Sequence, residues 1–394
     1  LLFIFCVLSE KDGKKMSRTI FLSSLLFYSI QTFETNGGSA RKISTSTTLI
    51  SKGLRNLGNT CYMNAQLECA FHVPYIRKIL RKENDNAGAY SLWKLFHDME
   101  LNADEEGIAS SNGIASSPEE LCKNFDIPVR QQQDSQEFWK LLLPALNVRK
   151  LTDLYRGSYE DYIVAADGTN REKRGEEPFL DLSLGITNRN SIGESLADTF
   201  GTPELLSDEE GNGWRPEKGA DKVDALKGQL LRARGLPSLL QLHLKRFSYN
   251  WETDSMSKIN KRFTFPLKLD LKDICTTSDT KKEQQSTIYD LQSVLVHSGD
   301  YGSGHYYTYV RPNILGNAWY CFDDNRVMKV SFDDVTRDSY GQQQQQCNNN
   351  NNNGLFKRLL FGGSNAGRSY GGPKSSAYML QYVKRSDIDK LYYS

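Results

Sequence analysis

Three features that would fix the class of this 394-residue chain at once are scarce or missing from its sequence. Its seven cysteines are scattered, and no two stand in a Cys-x-x-Cys pair, which argues against a zinc site and against a disulfide framework. Neither sign of charge is in excess, because 49 basic residues face 48 acidic ones. Such a balance gives no electrostatic reason to expect nucleic acid or an anionic membrane as a partner. We therefore expect no metal, no cofactor and a reducing compartment.

Long apolar runs are the third missing feature. Leu1 to Leu8 is apolar but too short to span a bilayer, so no membrane partner is expected. Met16 to Gln31 has Arg18 ahead of an apolar run and looks superficially like a secretory signal. Since the chain does not begin with methionine, we interpret residues 1–48 as a variable leader and linker, with a signal-like segment or a gene-model artefact as the alternatives.

The composition, with 38% hydrophobic and 25% charged residues, is that of a globular protein with material for a substantial core. Helical spacing of apolar residues predicts helices over Cys61 to His72, Tyr90 to Leu101, Pro118 to Lys123, Ser135 to Leu146, Ser191 to Phe200 and Lys222 to Leu226. Strands are predicted over Leu154 to Tyr159, Asp161 to Ala166, Phe179 to Leu184, Leu239 to Tyr249, Ile288 to His297, Tyr306 to Arg311, Trp319 to Phe322 and Ala377 to Lys384. A helical first part followed by strand-rich sequence predicts the α+β class. The Gln, Asn and Gly/Ser tracts over 341–372 are too polar to offset the entropy of ordering them, which predicts a disordered surface insertion.

The most informative residue is Cys61, which stands where a polar, glycine-containing loop gives way to a helical apolar pattern. Asn59 or Thr60 can cap this helix, which would place Cys61 in its first turn. The unpaired amides and the positive dipole end of a helix start stabilise a thiolate over a thiol, and the thiolate is the reactive form. Cys61 is therefore a candidate nucleophile.

A thiol nucleophile needs a base and a group that orients the base, and candidates for both occur about 240 residues later. His305 follows Gly302 to Gly304, whose glycines allow the backbone to approach a substrate closely. The strand after His305 and a strand that returns beside it would bring Asp323 to the imidazole. His297 is the second choice for the base, and Asp324 is interpreted as a helper or a turn residue.

Six motifs, in order along the chain, resemble those of the ubiquitin-specific proteases, which are papain-like deubiquitinases. They are Gly53 to Asn64, Gln133 to Phe138, Leu236 to Phe247, Ile259 to Pro266, the segment from His297 to Asp324, and Ala377 to Tyr382. Within the family, the chain looks most like the herpesvirus-associated branch. The resemblance implies a catalytic domain over residues 49–390, with a helical thumb at 49–150 and β-sheet fingers and palm at 151–394.

The resemblance also implies an activity, that of a cysteine-type ubiquitinyl hydrolase. Such an enzyme cleaves the isopeptide bond after the C-terminal glycine of ubiquitin through an acyl-thioester, here on Cys61. Asn56 matches the family's oxyanion-hole asparagine, a type of donor worth roughly 2.7–4 kcal/mol of barrier. Asp134 and Glu137 match positions that contact the arginines of the ubiquitin tail, and their spacing puts them on one face of a helix.

The two glycines that end ubiquitin need a narrow slot, and the resemblance implies which residues form it. Gly304 and Tyr306 would be its walls, His297 would contact the tail, and Tyr62 and Phe247 would line the channel. The implied partners are ubiquitin and ubiquitinated proteins, the implied location is the cytoplasm or the nucleus, and a monomer is expected.

Two alternatives to this assignment stay open, and a departure from the family pattern supports the second of them. Family members usually continue with Ser-Leu-Leu-Gln after Asn64, whereas Gln66 and Glu68 occur here and alter the expected packing behind Cys61. One alternative is a protease for another ubiquitin-like modifier with a diglycine end. The other is a catalytically impaired scaffold that binds ubiquitin, although all four candidate catalytic residues are present.

Overall fold

The computed structural model describes residues 48–105, 114–252, 254–276, 287–342 and 370–394, which belong to one compact unit. Almost all of the predicted leader over 1–48, and residues 343–369 of the predicted insertion, lie outside the described residues. Within the described part of the chain, no helix combines the length and the apolarity needed to cross a bilayer.

Helices dominate the first part of the unit. They are α1 (Cys61–Phe71), α2 (Pro74–Lys82), α3 (Ala87–Asn102), α4 (Glu119–Asn124), α5 (Ser135–Ala145) and α6 (Arg149–Tyr155), followed later by α7 (Ile192–Gly201), α8 (Phe332–Ser339) and α9 (Ile388–Tyr392). Every residue of α1 is buried, so this helix is the centre of the lobe around which the others pack. The helix α2 begins with Pro74, which suits this position because the N–H that proline lacks would have no helical partner there. No helix was predicted from the sequence at α2.

Strands make up most of the remainder. They are β1 (Leu49–Ile50), β2 (Asp104–Glu105), β3 (Gly157–Ala165), β4 (Glu172–Phe179), β5 (Leu182–Gly185), β6 (Glu204–Leu206), β7 (Ala225–Arg232), β8 (Leu239–Lys245), β9 (Phe247–Asn250), β10 (Ser255–Lys258), β11 (Lys268–Asp270), β12 (Cys275–Thr276), β13 (Ile288–Asp300), β14 (Ser303–Val310), β15 (Trp319–Asp323), β16 (Arg326–Val330) and β17 (Ser375–Lys384). Together with the helical lobe, they confirm the predicted α+β class.

The main sheet has eight strands in the order β16-β15-β14-β13-β17-β8-β5, with β11 paired to β13. Side chains alternate between its faces, and both faces are covered. Leu295 packs into the core of the helical lobe, whereas Val294 and Val296 pack into a second core on the opposite side. This double burial explains why residues 289–297 of β13 are all buried, and it fixes the register of the strand.

A second sheet, in the order β12-β7-β3-β4 with β6 paired to β7, occupies the region predicted as fingers. Two predictions in this region are wrong. The residues Lys222 to Leu226 were expected to be helical, but Ala225 and Leu226 begin β7, which pairs along its length with β3. Leu154 and Tyr155 were expected in a strand and instead end α6. Pairing with distant strands outweighs local propensity here.

Candidate functional site

The candidate nucleophile Cys61 is the first residue of α1, as predicted, and only 4% of it is exposed. Of the two predicted caps, Thr60 occupies the N-cap position, but within the described residues its side chain makes no capping hydrogen bond. Asn59 instead donates its side-chain N–H to the carbonyl of Arg130. The first N–H groups of a helix have no intrahelical partners. This helix start therefore presents unpaired amides and the positive end of the dipole beside the sulfur.

The imidazole of His305 and the carboxylate of Asp323 meet as predicted. His305 is in β14 and Asp323 ends β15, and the pairing of Thr308 with Phe322 sets these two strands in register. The distance from His305 Nε2 to Asp323 Oδ1 is 2.5 Å. Because Nε2 faces Asp323, Nδ1 is the nitrogen left to face Cys61.

Charges at this site favour a protonated imidazole. The hydrogen bond to Asp323, followed by the one to Cys61, raises the pKa of His305 to about 10. Burial raises the pKa of Asp323, but the hydrogen bonds from His305 and Tyr370 outweigh it, and the net effect is a lowered pKa. An imidazolium next to a cysteine is the partner that stabilises a thiolate.

The second aspartate, Asp324, binds two amides. Its Oδ2 accepts from Asn56 Nδ2 at 2.9 Å, and its Oδ1 accepts from Asn64 Nδ2 at 2.8 Å. The Asn56 side-chain oxygen accepts from the backbone N–H groups of Gly58 and Thr60. Since an amide nitrogen carries two hydrogens, Asn56 is fixed at both ends while one N–H stays available to a substrate oxygen.

A possible cation site coincides with these groups. His305, Asp323 and Asp324 each offer a ligand atom, and these atoms lie within 4.8 Å of one another. Their lone pairs already accept hydrogen bonds, Asp323 from His305 and Tyr370 and Asp324 from two asparagines. The donor set thus fits a hydrogen-bonded network, and the absence of a metal cofactor stays a prediction.

Two carboxylates were predicted to contact the arginines of the ubiquitin tail. At the start of α5, Asp134 is partly buried and Glu137 is exposed. Asp134 caps this helix, because its Oδ1 accepts from the N–H of Gln136 at 2.8 Å and of Glu137 at 3.0 Å. Its other oxygen accepts from the hydroxyl of Tyr378. The Asp134 carboxylate is therefore rigidly placed, and Glu137 is the freer of the two.

Some of the residues predicted to form the slot for the diglycine end are partly exposed, and others are buried in the core. Gly304 lies directly over His297, where a Cβ would be 2.1 Å from His297 Nε2, so only glycine fits at this point. The His297 ring is buried and packs on Tyr306 and Phe247, with ring centroids 4.7 and 5.3 Å apart. Burial lowers the pKa of His297 to about 3, so it is neutral and supports the slot from beneath instead of contacting a tail.

Tyr62 differs most from its predicted position. It is completely buried and packs edge-on against Phe138 at 5.5 Å, so it belongs to the core behind Cys61 and does not line a channel. Tyr306 is also buried, whereas Phe247 is partly exposed.

Gln132 was not predicted and lies across the candidate site. Its Nε2 donates to the Gly304 carbonyl at 2.8 Å and lies 3.7 Å from Cys61 Sγ, while its Oε1 accepts from the Gly304 N–H at 3.5 Å. The side-chain amide thus pairs with Gly304 as a peptide group would. The run of three glutamines from Gln131 to Gln133 carries no signal that separates the middle one from its neighbours.

Glu68, one of the residues that depart from the family pattern after Asn64, belongs to a buried polar cluster behind Cys61. Ser51 Oγ donates to Glu68 Oε1 at 2.9 Å, and His72 Nδ1 donates to the Glu68 carbonyl at 2.8 Å. The backbone N–H of Ser51 points at His72 Nε2, 3.5 Å away, so one neutral tautomer satisfies both contacts. Burial raises the pKa of Glu68 to about 8 and lowers that of His72 to about 3, which makes both neutral at pH 7.

An α+β fold that sets a cysteine at a helix start against a histidine and an aspartate on a sheet is the arrangement of papain-like cysteine proteases. Residues 52–382 match the family model described as ubiquitin carboxyl-terminal hydrolase, and the chain belongs to this family.

Several proteins of similar sequence carry names of the same kind. Ubiquitin carboxyl-terminal hydrolase 15 of Schizosaccharomyces pombe is 32% identical over 356 residues, which cover 86% of this chain and 28% of that protein. Ubiquitin C-terminal hydrolase 13 of Arabidopsis thaliana is 34% identical over 361 residues, which cover 86% of this chain and 30% of that protein. Ubiquitin carboxyl-terminal hydrolase 15 of Saccharomyces cerevisiae is 30% identical over 313 residues, which cover 73% of this chain and 24% of that protein. The chain therefore spans less than a third of the length of these relatives.

Proposed function

We propose that this protein is a deubiquitinase that hydrolyses the isopeptide bond after the C-terminal glycine of ubiquitin on protein conjugates. Family membership supports the reaction class, and the names of the relatives support ubiquitin as the modifier. The observation that carries the proposal is the position of Cys61 at a helix start next to His305, whose imidazole is hydrogen-bonded to Asp323.

Acylation begins at the sulfur. In the resting enzyme the thiol proton has already passed to His305, and the Cys61 thiolate attacks the carbonyl carbon of the terminal glycine. The oxygen that becomes negative receives hydrogen bonds from the Asn56 amide and the Cys61 backbone N–H. The C–N bond then breaks, and His305 passes its proton to the departing lysine amine. Asp323 keeps the ring in the tautomer and orientation that both transfers require.

Deacylation uses the same groups in reverse order. His305 removes a proton from water, and the hydroxide attacks the thioester carbonyl. The C–S bond breaks, Cys61 leaves as a thiolate beside the His305 imidazolium, and the new carboxyl group of the glycine loses its proton to solvent. Asp324 takes part indirectly, as the helper that holds Asn56.

Substrate binding follows from the surroundings of Cys61. We assign one wall of the slot for the diglycine end to the Gly304 backbone, which the buried Tyr306 supports from the core, and its border to the partly exposed Phe247. Glu137 and the capping carboxylate of Asp134 supply negative charge for the arginines of the tail.

The wider assignments are also proposals. The motifs support a place nearest the herpesvirus-associated branch, and the helical lobe and the two sheets support a thumb, palm and fingers over residues 49–390. We place the protein in the cytoplasm or nucleus because ubiquitin conjugates occur there and scattered cysteines suit a reducing compartment. The balance of charge supports the expectation that the protein does not bind nucleic acid, and we further propose that it is a monomer.

The test of function is turnover of ubiquitin that carries a fluorogenic amide at its C-terminus. Cys61→Ala should abolish turnover and retain ubiquitin binding, whereas Cys69→Ala, on the same helix, should keep turnover. Cys61→Ala protein that still releases the fluorophore would refute the assignment of the nucleophile.

The identity of the modifier is tested separately with electrophilic probes built on ubiquitin and on other modifiers with diglycine ends. Capture by the ubiquitin probe, with the adduct mapped to Cys61, is expected. Preferential capture by another modifier would change the substrate and keep the mechanism, while ubiquitin binding without any adduct would indicate a scaffold.

A further inference from the structure

We infer that Tyr370 is a positioning residue for the proposed hydrolysis, and that its phenol holds the Asp323 carboxylate in the orientation that aligns His305. The inference rests on the proposed function, because Tyr370 acts only through the two groups assigned there as base and orienting carboxylate.

The Asp323 carboxylate binds a different donor at each oxygen. Tyr370 donates its hydroxyl proton to Oδ2 at 2.7 Å, and His305 Nε2 lies 2.5 Å from Oδ1. A carboxylate held at one oxygen can still rotate about its C–C bond, whereas one held at both has a defined plane. The phenol therefore determines which lone pair of Oδ1 faces the imidazole.

The backbone next to Tyr370 is itself anchored. Gly371 N–H donates to Asp338 Oδ1 at 3.1 Å, and the Gly371 carbonyl accepts from Ser298 Oγ at 2.5 Å. A Cβ at position 371 would lie 2.3 Å from the hydroxyl of Tyr307, so this close approach depends on glycine. The Tyr370 ring also packs edge-on against Tyr307, with centroids 5.3 Å apart.

Tyr370 is suited to donate and not to act as a base. Burial, followed by the hydrogen bond to Asp323, raises the pKa of its phenol well above the usual value, so it stays protonated at neutral pH. Tyr370 is 43% exposed, and it contacts Asp323 at Oδ2, the oxygen that is not hydrogen-bonded to His305. A group in this position influences the chemistry through the carboxylate alone.

The segment that supplies Tyr370 was expected to be disordered. Residues 341–372 were predicted as one insertion, but residues 341–342 and 370–372 have defined contacts in the structure. The chain that follows the Gln/Asn-rich tract thus contributes a side chain to the site.

Tyr370→Phe removes the donor and keeps the ring. With ubiquitin carrying a C-terminal fluorogenic amide, we expect kcat to fall roughly tenfold while KM stays unchanged. The alkaline limb of the pH profile of kcat/KM should also move to lower pH, because a less well oriented Asp323 stabilises the His305 imidazolium less. The matched control is Tyr340→Phe, which loses one hydrogen bond, to the Phe265 carbonyl. Tyr340 follows the end of α8, and its contacts within the described residues do not include Asp323, so this variant should leave kcat and the pH profile unchanged.

A double-mutant cycle separates positioning from a general structural effect. In an Asp323→Asn background, adding Tyr370→Phe should change kcat by less than about twofold, because the group through which the phenol acts is already altered. The inference about Tyr370 would be overturned if Tyr370→Phe lowered kcat by the same factor in both backgrounds. It would also be overturned if Tyr370→Phe and Tyr340→Phe had the same kcat and pH profile. Neither result would affect the proposed function. A wild-type protein that neither turns over the substrate nor forms an adduct at Cys61 would overturn the proposed function and this inference with it.

Discussion

Gly53 lies so close to Asp324 that a Cβ at position 53 would be 2.2 Å from the Asp324 carbonyl oxygen. The next residue, Leu54, donates its N–H to the same oxygen at 3.0 Å. This contact joins the chain that leads into the nucleophile helix to the end of the strand that carries Asp323. The relative placement of sulfur and carboxylate thus depends on backbone packing that only glycine permits.

Gly53→Ala should therefore damage both stability and activity. Its φ of +83° is unfavourable for alanine, and the added methyl group also meets backbone that cannot move aside cheaply. We expect the free energy of unfolding to fall by roughly 2–4 kcal/mol and kcat to fall in the protein that remains folded. Denaturant unfolding and kinetics with the fluorogenic ubiquitin substrate measure the two effects.

Gly168→Ala is the matched control. Gly168 has a φ of +79° and nothing within 4 Å of a Cβ, so it isolates the conformational cost, about 1 kcal/mol. Equal destabilisation by the two substitutions would show that the approach to Asp324 contributes nothing.

Asp323→Asn should change the pH dependence of activity as well as its size. The pKa of His305 is raised to about 10, so the imidazolium persists at neutral pH and is lost only as the pH rises through that value. Without the carboxylate, we expect the alkaline limb of kcat/KM to move towards the ordinary histidine pKa near 6.5. The plateau should fall by roughly 10²- to 10⁴-fold. An alkaline limb unchanged from wild type would argue against Asp323 as the orienting group.

Much of the candidate site could be predicted because its signals are local. Cys61 stands at a change from polar loop to helical periodicity, and His305 follows two glycines at a predicted strand. Asp323 could be predicted because it ends a short apolar strand. In each case the residue type and its position at the end of an element carry the information.

The remaining site residues lack such a signal. Asn64 and Gln132 are ordinary polar residues whose partners, Asp324 and Gly304, lie 260 and 172 positions away. Tyr370 adjoins a low-complexity tract, where composition argues for disorder. The strand β4 was missed for a related reason: Glu172–Phe179 is exposed at all but its last residue, so it has no apolar alternation to detect.

Asn64→Ala tests the arrangement that holds the oxyanion-hole candidate. Removing this amide leaves Asp324 with Asn56 as its remaining side-chain amide donor, so the carboxylate can shift and take Asn56 with it. We expect kcat to fall roughly three- to tenfold with KM unchanged, since Asn64 is buried and cannot touch substrate. In an Asp324→Ala background, the same substitution should have almost no further effect on kcat; additive losses would contradict a shared route through Asp324.

Glu68→Gln should reveal that the buried carboxyl behind the nucleophile is neutral. The pKa of Glu68 is raised from 4.5 to about 8, so its contribution to stability is fully present below pH 4.5 and is lost as the pH rises through 8. Glutamine has the shape of the protonated acid and cannot ionise. The variant should therefore gain roughly 2–4 kcal/mol of unfolding free energy relative to wild type between pH 5 and pH 8.

The comparison with wild type at each pH isolates Glu68 from its neighbour His72. Burial lowers the pKa of His72 to about 3, so folding favours its neutral form and its contribution is lost as the pH falls below about 6.5. That dependence is common to both proteins and cancels in their difference, which denaturant unfolding at pH 5, 6.5 and 8 measures. Parallel curves of unfolding free energy against pH for the two proteins would contradict the prediction. They would show that Glu68 ionises as freely in the folded protein as in the unfolded chain. The cluster with Ser51 would then not be the closed, low-dielectric environment that its burial indicates.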